Sequence, residues 1–166
     1  MRFFSDNTAS ACPEIVTALQ AANHGLARAY GDDEWTGRLD RTLSAFFATE
    51  VRAFAVATGT AANSLALATL SPPYGAIFAH HEAHIAVDEC GAPGFFSGGA
   101  QQLLLPGEHG RIALHSFTAA LAAHRVDVHT LQPAALSVTQ ATELGTSYRP
   151  GELAQLSAAA HAHGLK

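Results

Sequence analysis

Apolar positions along the chain fall into helical and strand-like stretches that alternate. Ile15, Val16, Leu19 and Leu26 recur at helical spacing behind Pro13, a residue suited to a first helical turn. The polar, Gly-containing stretch 30–35 predicts a loop, and Leu39, Leu43, Phe46 and Phe47 mark a second amphipathic helix. Short apolar runs at 54–57, 76–79, 102–105 and 134–139 predict strands. Between them the pattern predicts helices over 61–70, stopped by Ser71, Pro72 and Pro73, and over 84–90. A Gly/Pro-rich turn covers 91–99, and a helix with Ser116 as N-cap covers 116–124. The last helix spans 150–163, with Pro150 near its first position and Gly164 just past its end. Short strands separated by helices point to βαβ units, hence an α/β fold with a mostly parallel sheet. Leu165 and Lys166 would begin a further strand that does not continue. The pattern therefore predicts a domain cut short over 1–166: an N-terminal helical segment and part of a larger α/β domain.

Composition narrows the function. A chain of 166 residues fits one domain with a sizeable core. An apolar fraction of 48% and a charged fraction of 14% exclude a disordered or fibrous chain. The net charge of −5 argues against nucleic acid as a partner, because phosphates call for a basic patch. No apolar stretch approaches the roughly 18–20 residues that span a bilayer, so no membrane partner is expected. Met1-Arg2-Phe3-Phe4-Ser5-Asp6 has no secretory pattern, and Cys12 and Cys90 form no C-x-x-C pair, so a cytoplasmic location is expected. Lysine occurs once, at the final position 166.

Three constellations carry candidate chemistry. Thr58-Gly59-Thr60-Ala61-Ala62-Asn63 follows a predicted strand and opens a predicted helix. Unpaired amides and the positive end of the helix dipole suit a phosphate there; the same residues also make an ordinary βα turn with a Thr cap. The segment matches neither G-x-G-x-x-G nor the P-loop. His80-His81-Glu82-Ala83-His84 follows the next strand, where α/β proteins place ligands. A histidine there can bind metal, move a proton, stack on a flat ring or face solvent. Gln140-Ala141-Thr142-Glu143 follows the last strand, either facing a ligand or capping a turn, and His129 precedes that strand.

Taken together, these segments resemble the low-specificity threonine aldolase and β-eliminating lyase family, pyridoxal-phosphate enzymes of the aspartate-aminotransferase-like fold. The resemblance runs in order along nearly the whole chain: Phe4-Ser5-Asp6-Asn7-Thr8, Tyr30-Gly31-Asp32-Asp33, Thr58 to Asn63, Glu82-Ala83-His84-Ile85, Asp88-Glu89-Cys90-Gly91-Ala92, Gln140-Ala141-Thr142-Glu143 and Ala160 to Lys166. It implies part of a parallel sheet with helices on both faces, and pyridoxal 5'-phosphate as cofactor. Gly59, Thr60 and Asn63 would hold the phosphate, and His84 would stack on the ring. Gln140 and Thr142 would lie near the cofactor face. Ser5 would help bind the substrate carboxylate, and Tyr30 would border a site shared between subunits. His84 and His129 are the histidines placed to move a proton. The implied reaction is retro-aldol cleavage of a β-hydroxy-α-amino acid, of threonine or phenylserine type, to glycine and an aldehyde, in a dimer or tetramer.

The family's Asp-Gly-Ala-Arg motif and the lysine that joins the cofactor are not in this sequence, and Lys166 precedes the motif's place. The expectation is therefore an inactive fragment with weak, non-covalent cofactor binding. Two alternatives stand beside it. One is a non-catalytic module that pairs with a complete partner. The other is a metal-binding protein using His80, His81 and His84.

Overall fold

The computed structural model describes residues 8–125 and 127–166. It divides into two compact units, 1–55 and 56–166.

The first unit holds α1 (Pro13–Ala22) and α2 (Glu34–Phe47). Pro13 sits in the first turn of α1, where its missing N–H costs nothing. Asp33 caps α2: its carboxylate accepts from the Thr36 amide and from the Thr36 hydroxyl, each at 2.9 Å. These bonds to the Thr36 amide and hydroxyl hold the Asp33 carboxyl below its usual pKa. The chain after α2 turns back along it. The Val51 amide donates to Ser44 Oγ at 3.0 Å and the Ala53 amide to Asp40 Oδ1 at 2.8 Å. The strand predicted over 54–57 does not form: no described segment pairs with it, and Phe54 is 82% exposed.

The second unit is a three-stranded parallel sheet in the order β2-β1-β3, with β1 at Gly75–His80, β2 at Gln101–Leu105 and β3 at Gln132–Leu136. Every residue of β1 is buried, as a central parallel strand covered on both faces requires. Its side chains alternate between two cores. Ala76 and Phe78 pack with Phe117 and Leu121 of α6 (Leu114–Ala123) and with Leu156 and Ala160 of α7 (Pro150–Ala162). Ile77 and Ala79 pack with Leu67 of α3 (Gly59–Leu70) and with Ile85 of the short α4 (His84–Val87). Helices therefore cover both faces of the sheet. Pro133, which has no N–H to give the ladder, lies where the β1–β3 register shifts, between Ala76 and Ile77.

Four expected boundaries move. The turn over 91–99 contains a short helix, α5 (Ala92–Phe96), and the helix begun at His84 ends at Val87 rather than at Cys90. Ser116 lies inside α6, whose N-cap is Ala113. The strand predicted over 134–139 starts and ends earlier, at Gln132–Leu136, and the Ser137 amide still donates to Phe78 O at 2.8 Å just past its end. The end of α7 follows expectation. Gly164 is left-handed, its amide reaches His161 O and the Leu165 amide reaches Ala160 O, each at 3.0 Å, closing a Schellman motif. Lys166 then pairs with the outer edge of β3, donating to Ala134 O and accepting from the Leu136 amide, both at 2.9 Å.

A buried tyrosine joins the α6 and α7 sides of the second unit. Tyr148 is 4% exposed and its hydroxyl accepts from the Ile112 amide at 2.7 Å. Burial pushes that phenol above its usual pKa. Tyr148→Phe strands a buried N–H and is expected to cost about 1–3 kcal/mol, read as a lower urea midpoint at unchanged slope. An unchanged midpoint would contradict this role.

Candidate functional site

All three strands are parallel, so their C-terminal ends share one edge of the sheet. Three loops leave that edge: 81–83 after β1, 106–113 after β2 and 137–149 after β3. In open α/β sheets this edge is where ligands bind.

The opening of α3 belongs to the same region. Thr58 caps the helix, its hydroxyl accepting from the Ala61 amide at 3.1 Å. The Ala62 amide reaches Thr58 O, while the amides of Gly59 and Thr60 meet no acceptor among the described residues. A Cβ built on Gly59 would have no atom within 4 Å, so the helix mouth stands open. Two free amides, the positive helix end and open space in front of Gly59 form an arrangement that fits a phosphate.

One carboxylate ties this mouth to His84. Asn63 Nδ2, one turn into α3, donates to Glu89 Oε1 at 2.7 Å, and His84 Nδ1 lies 2.9 Å from the same oxygen. The Glu89 side chain is fully buried, whereas that of His84 is 40% exposed. The bond to Glu89 raises the His84 pKa above its ordinary value; burial opposes this, and Glu143, Glu89 and Asp88 add attraction through space. Glu143 sits in the loop after β3, so that loop also approaches the imidazole.

The resemblance implies that Gln140 and Thr142 lie near the cofactor face. Here both side chains close their own loop. Gln140 Nε2 donates to Tyr148 O at 3.0 Å and its Oε1 accepts from the Tyr148 amide at 2.9 Å. Thr142, 6% exposed, donates to His109 O at 3.3 Å and pairs with the Thr146 hydroxyl at 2.9 Å. They shape the loop that carries Glu143. His129 is not brought to this edge. It precedes β3, at the opposite end of the sheet, exposed, with its amide on Asp127 Oδ1 at 2.8 Å. Tyr30 belongs to the first unit and is fully exposed with a left-handed backbone, and Ser5 lies outside the described residues.

A metal reading of His80, His81 and Glu82 meets a chemical obstacle, although their ligand atoms lie within 4.8 Å of one another. His80 is 2% exposed and its Nδ1 accepts from the Glu82 amide at 3.1 Å. Its proton is therefore on Nε2, which donates to Gly107 O at 3.2 Å. Neither nitrogen has a lone pair to offer a metal while those bonds stand. Gly107 can approach this closely only without a side chain: a Cβ there would fall 1.8 Å from Arg111 O.

Glu89 is the site residue that sequence reasoning left without a role. Asp88 and Glu89 read as an acidic pair, and no pattern told the buried one from the exposed one.

An α/β sheet with an anion-suited helix mouth beside a carboxylate-held imidazole at its C-terminal edge describes a class of phosphate-bearing-cofactor enzymes. The comparisons with known proteins narrow that class. The Beta-eliminating lyase family matches over residues 2–166. The low specificity L-threonine aldolase of Pseudomonas sp. (strain NCIMB 10558) is 43% identical over 164 residues, and that of Pseudomonas aeruginosa is 44% identical over 164 residues. Each alignment covers 99% of this chain and 47% of the relative. The solved structure of Leishmania major threonine aldolase superposes with a TM-score of 0.89 at 25% identity, over 98% of this chain and 47% of that one. The chain belongs to the β-eliminating lyase family and spans about half the length of the relatives it matches. That family and the threonine aldolases use pyridoxal 5'-phosphate, and no helix among the described residues is long and apolar enough to cross a membrane.

Proposed function

We propose that this chain is the part of a pyridoxal-phosphate-dependent lyase that holds the cofactor's phosphate and one face of its ring. The parent activity is cleavage of a β-hydroxy-α-amino acid, of threonine or phenylserine type, to glycine and an aldehyde. The observation that carries the reading is the shared Glu89 oxygen, which joins the open mouth of α3 to His84. Gly59 and Thr60 present amides to the phosphate, and Asn63 stands one turn further in. His84 would offer a flat, partly exposed ring to stack on the cofactor. When bound, pyridoxal phosphate supplies an electron sink beside the amino acid's Cα. With Nδ1 held by Glu89, Nε2 of His84 is the nitrogen free to accept the proton of a β-hydroxyl. Ser5 and Tyr30 remain the candidates for the substrate carboxylate and for a site shared between subunits of a homo-oligomer. The proposed location is cytoplasmic.

Lys166 is the sole lysine, and its backbone is fixed to the edge of β3. It is not assigned as the covalent anchor, so this chain alone binds the cofactor reversibly and does not turn over substrate. The test is a titration with pyridoxal 5'-phosphate followed by the cofactor's absorbance, with inorganic phosphate as competitor, then borohydride treatment and mass spectrometry. Reversible binding, displaced by phosphate and leaving no adduct on Lys166, is expected. Absence of binding, or a reduced adduct on Lys166, would overturn the assignment.

A further inference from the structure

We propose that Glu89 is a positioning residue for His84: it fixes the proton on Nδ1, turns Nε2 outward, and locks the ring to α3 through Asn63, one turn in from the helix mouth. The inference deepens the proposed function and rests on it only for what His84 then does.

Three observations meet at this carboxylate. Its side chain is fully buried, which charged groups tolerate only when paired. Its Oε1 receives two donors from different elements, Asn63 Nδ2 at 2.7 Å and His84 Nδ1 at 2.9 Å. Its Oε2 is buried without a partner among the described residues, so those two bonds carry the whole compensation for burial. A carboxylate only accepts, and the amide nitrogen of Asn63 only donates. The proton between Glu89 and the imidazole therefore sits on His84 Nδ1.

The consequence for the imidazole is specific. A free neutral imidazole favours its proton on Nε2, which would present an N–H, not a lone pair, to an incoming ligand. Glu89 reverses that preference and makes Nε2 the acceptor. Because the carboxylate is anchored to α3, the ring's orientation is set by the same helix that offers amides to an anion. A change at one place is therefore felt at the other.

The pair also gives stability a pH dependence of definite sign. Glu89 first, then Glu143 and Asp88 through space, raise the folded-state pKa of His84 against the opposing effect of burial. Stability from the pair is then fully present below the ordinary histidine pKa of about 6.5 and is lost as pH rises through the raised folded value.

The test labels the histidines of this chain with 15N and follows the imidazole of His84, assigned by its absence in His84→Asn. The wild-type arm needs no other variant: neutral His84 is expected to carry its proton on Nδ1. In Glu89→Gln, the same size without the charge, the His84 titration is expected to move down toward the ordinary value. The loss of stability on raising pH through the His84 titration is expected to flatten. Circular dichroism confirms that the variant folds. A wild-type His84 protonated on Nε2, or a Glu89→Gln titration superposing on the wild type, overturns the proposal. A parallel titration with pyridoxal 5'-phosphate separates the two readings. Failure of the wild type to bind it, with the Nδ1 proton in place, removes the cofactor assignment and leaves Glu89's role standing.

Discussion

Gly59→Asp is expected to abolish measurable binding of pyridoxal 5'-phosphate while leaving the fold as stable as before or slightly more so. The two effects have opposite signs because they have different origins. A Cβ at position 59 meets nothing within 4 Å, so the substitution fits without displacing a neighbour. The position is the first residue of α3, where a carboxylate faces the positive end of the helix and typically adds 0.3–1 kcal/mol. That carboxylate also stands where the phosphate would sit. Two like charges at 4 Å near a protein surface repel by about 4 kcal/mol, which translates to well over a hundredfold in affinity. Gly59→Asn supplies the control: nearly the same volume, a good residue for a helix start, and no charge. Binding lost in Asp and largely kept in Asn identifies electrostatic exclusion from an anion site. Equal loss in both identifies steric blocking, and no loss in either places the phosphate elsewhere.

How much of this was legible beforehand depended on whether the signal was local. β1 reads out of 76–79 because a central parallel strand is apolar without interruption, and α7 reads out because Pro150 and Gly164 punctuate both ends. The stretch 54–57 looked the same as β1 to any local test. Whether an apolar run becomes a strand depends on a neighbour with which to pair, and that is decided far away in the chain. The site shows the same division. Thr58 to Asn63 announces a capped helix opening by its composition, and His84 stands in a conspicuous cluster. Glu89 does not: its importance lies in being buried between two elements 26 and 5 residues away, Asn63 and His84. Gln140 and Thr142 show the limit from the other side. Polar residues after a strand suit a ligand or a turn equally, and composition does not choose between them; the backbone of a tight loop has its own donors and acceptors to satisfy, and these side chains meet that need.

Phe78→Ala is expected to be the most destabilising single change in the second unit, at about 3–5 kcal/mol. The side chain is 1% exposed and lies on the central strand, with the Phe117 ring edge-on at 5.5 Å and His124 at 6.4 Å. Little can move in to fill the space it leaves. β1 is held by ladders on both sides, and the facing helices are held by Phe117, Leu121, Leu156 and Ala160 in the same cluster. Ile77→Val, one residue away and facing α3, removes a single methyl group and is expected to cost about 0.5–1.5 kcal/mol. Both are read from urea midpoints at constant slope. Domains of this size are stable by only about 5–15 kcal/mol, so the Phe78 change takes a large share of the total. Its effect reaches the site by geometry: β1 ends at His80, whose ring is bonded to Gly107, and four residues later the chain delivers His84 to Glu89. A folded Phe78→Ala chain is accordingly expected to bind pyridoxal 5'-phosphate more weakly than Ile77→Val. Equal stability of the two variants would mean that the α6–α7 face of the sheet is not the one that holds the strand in place.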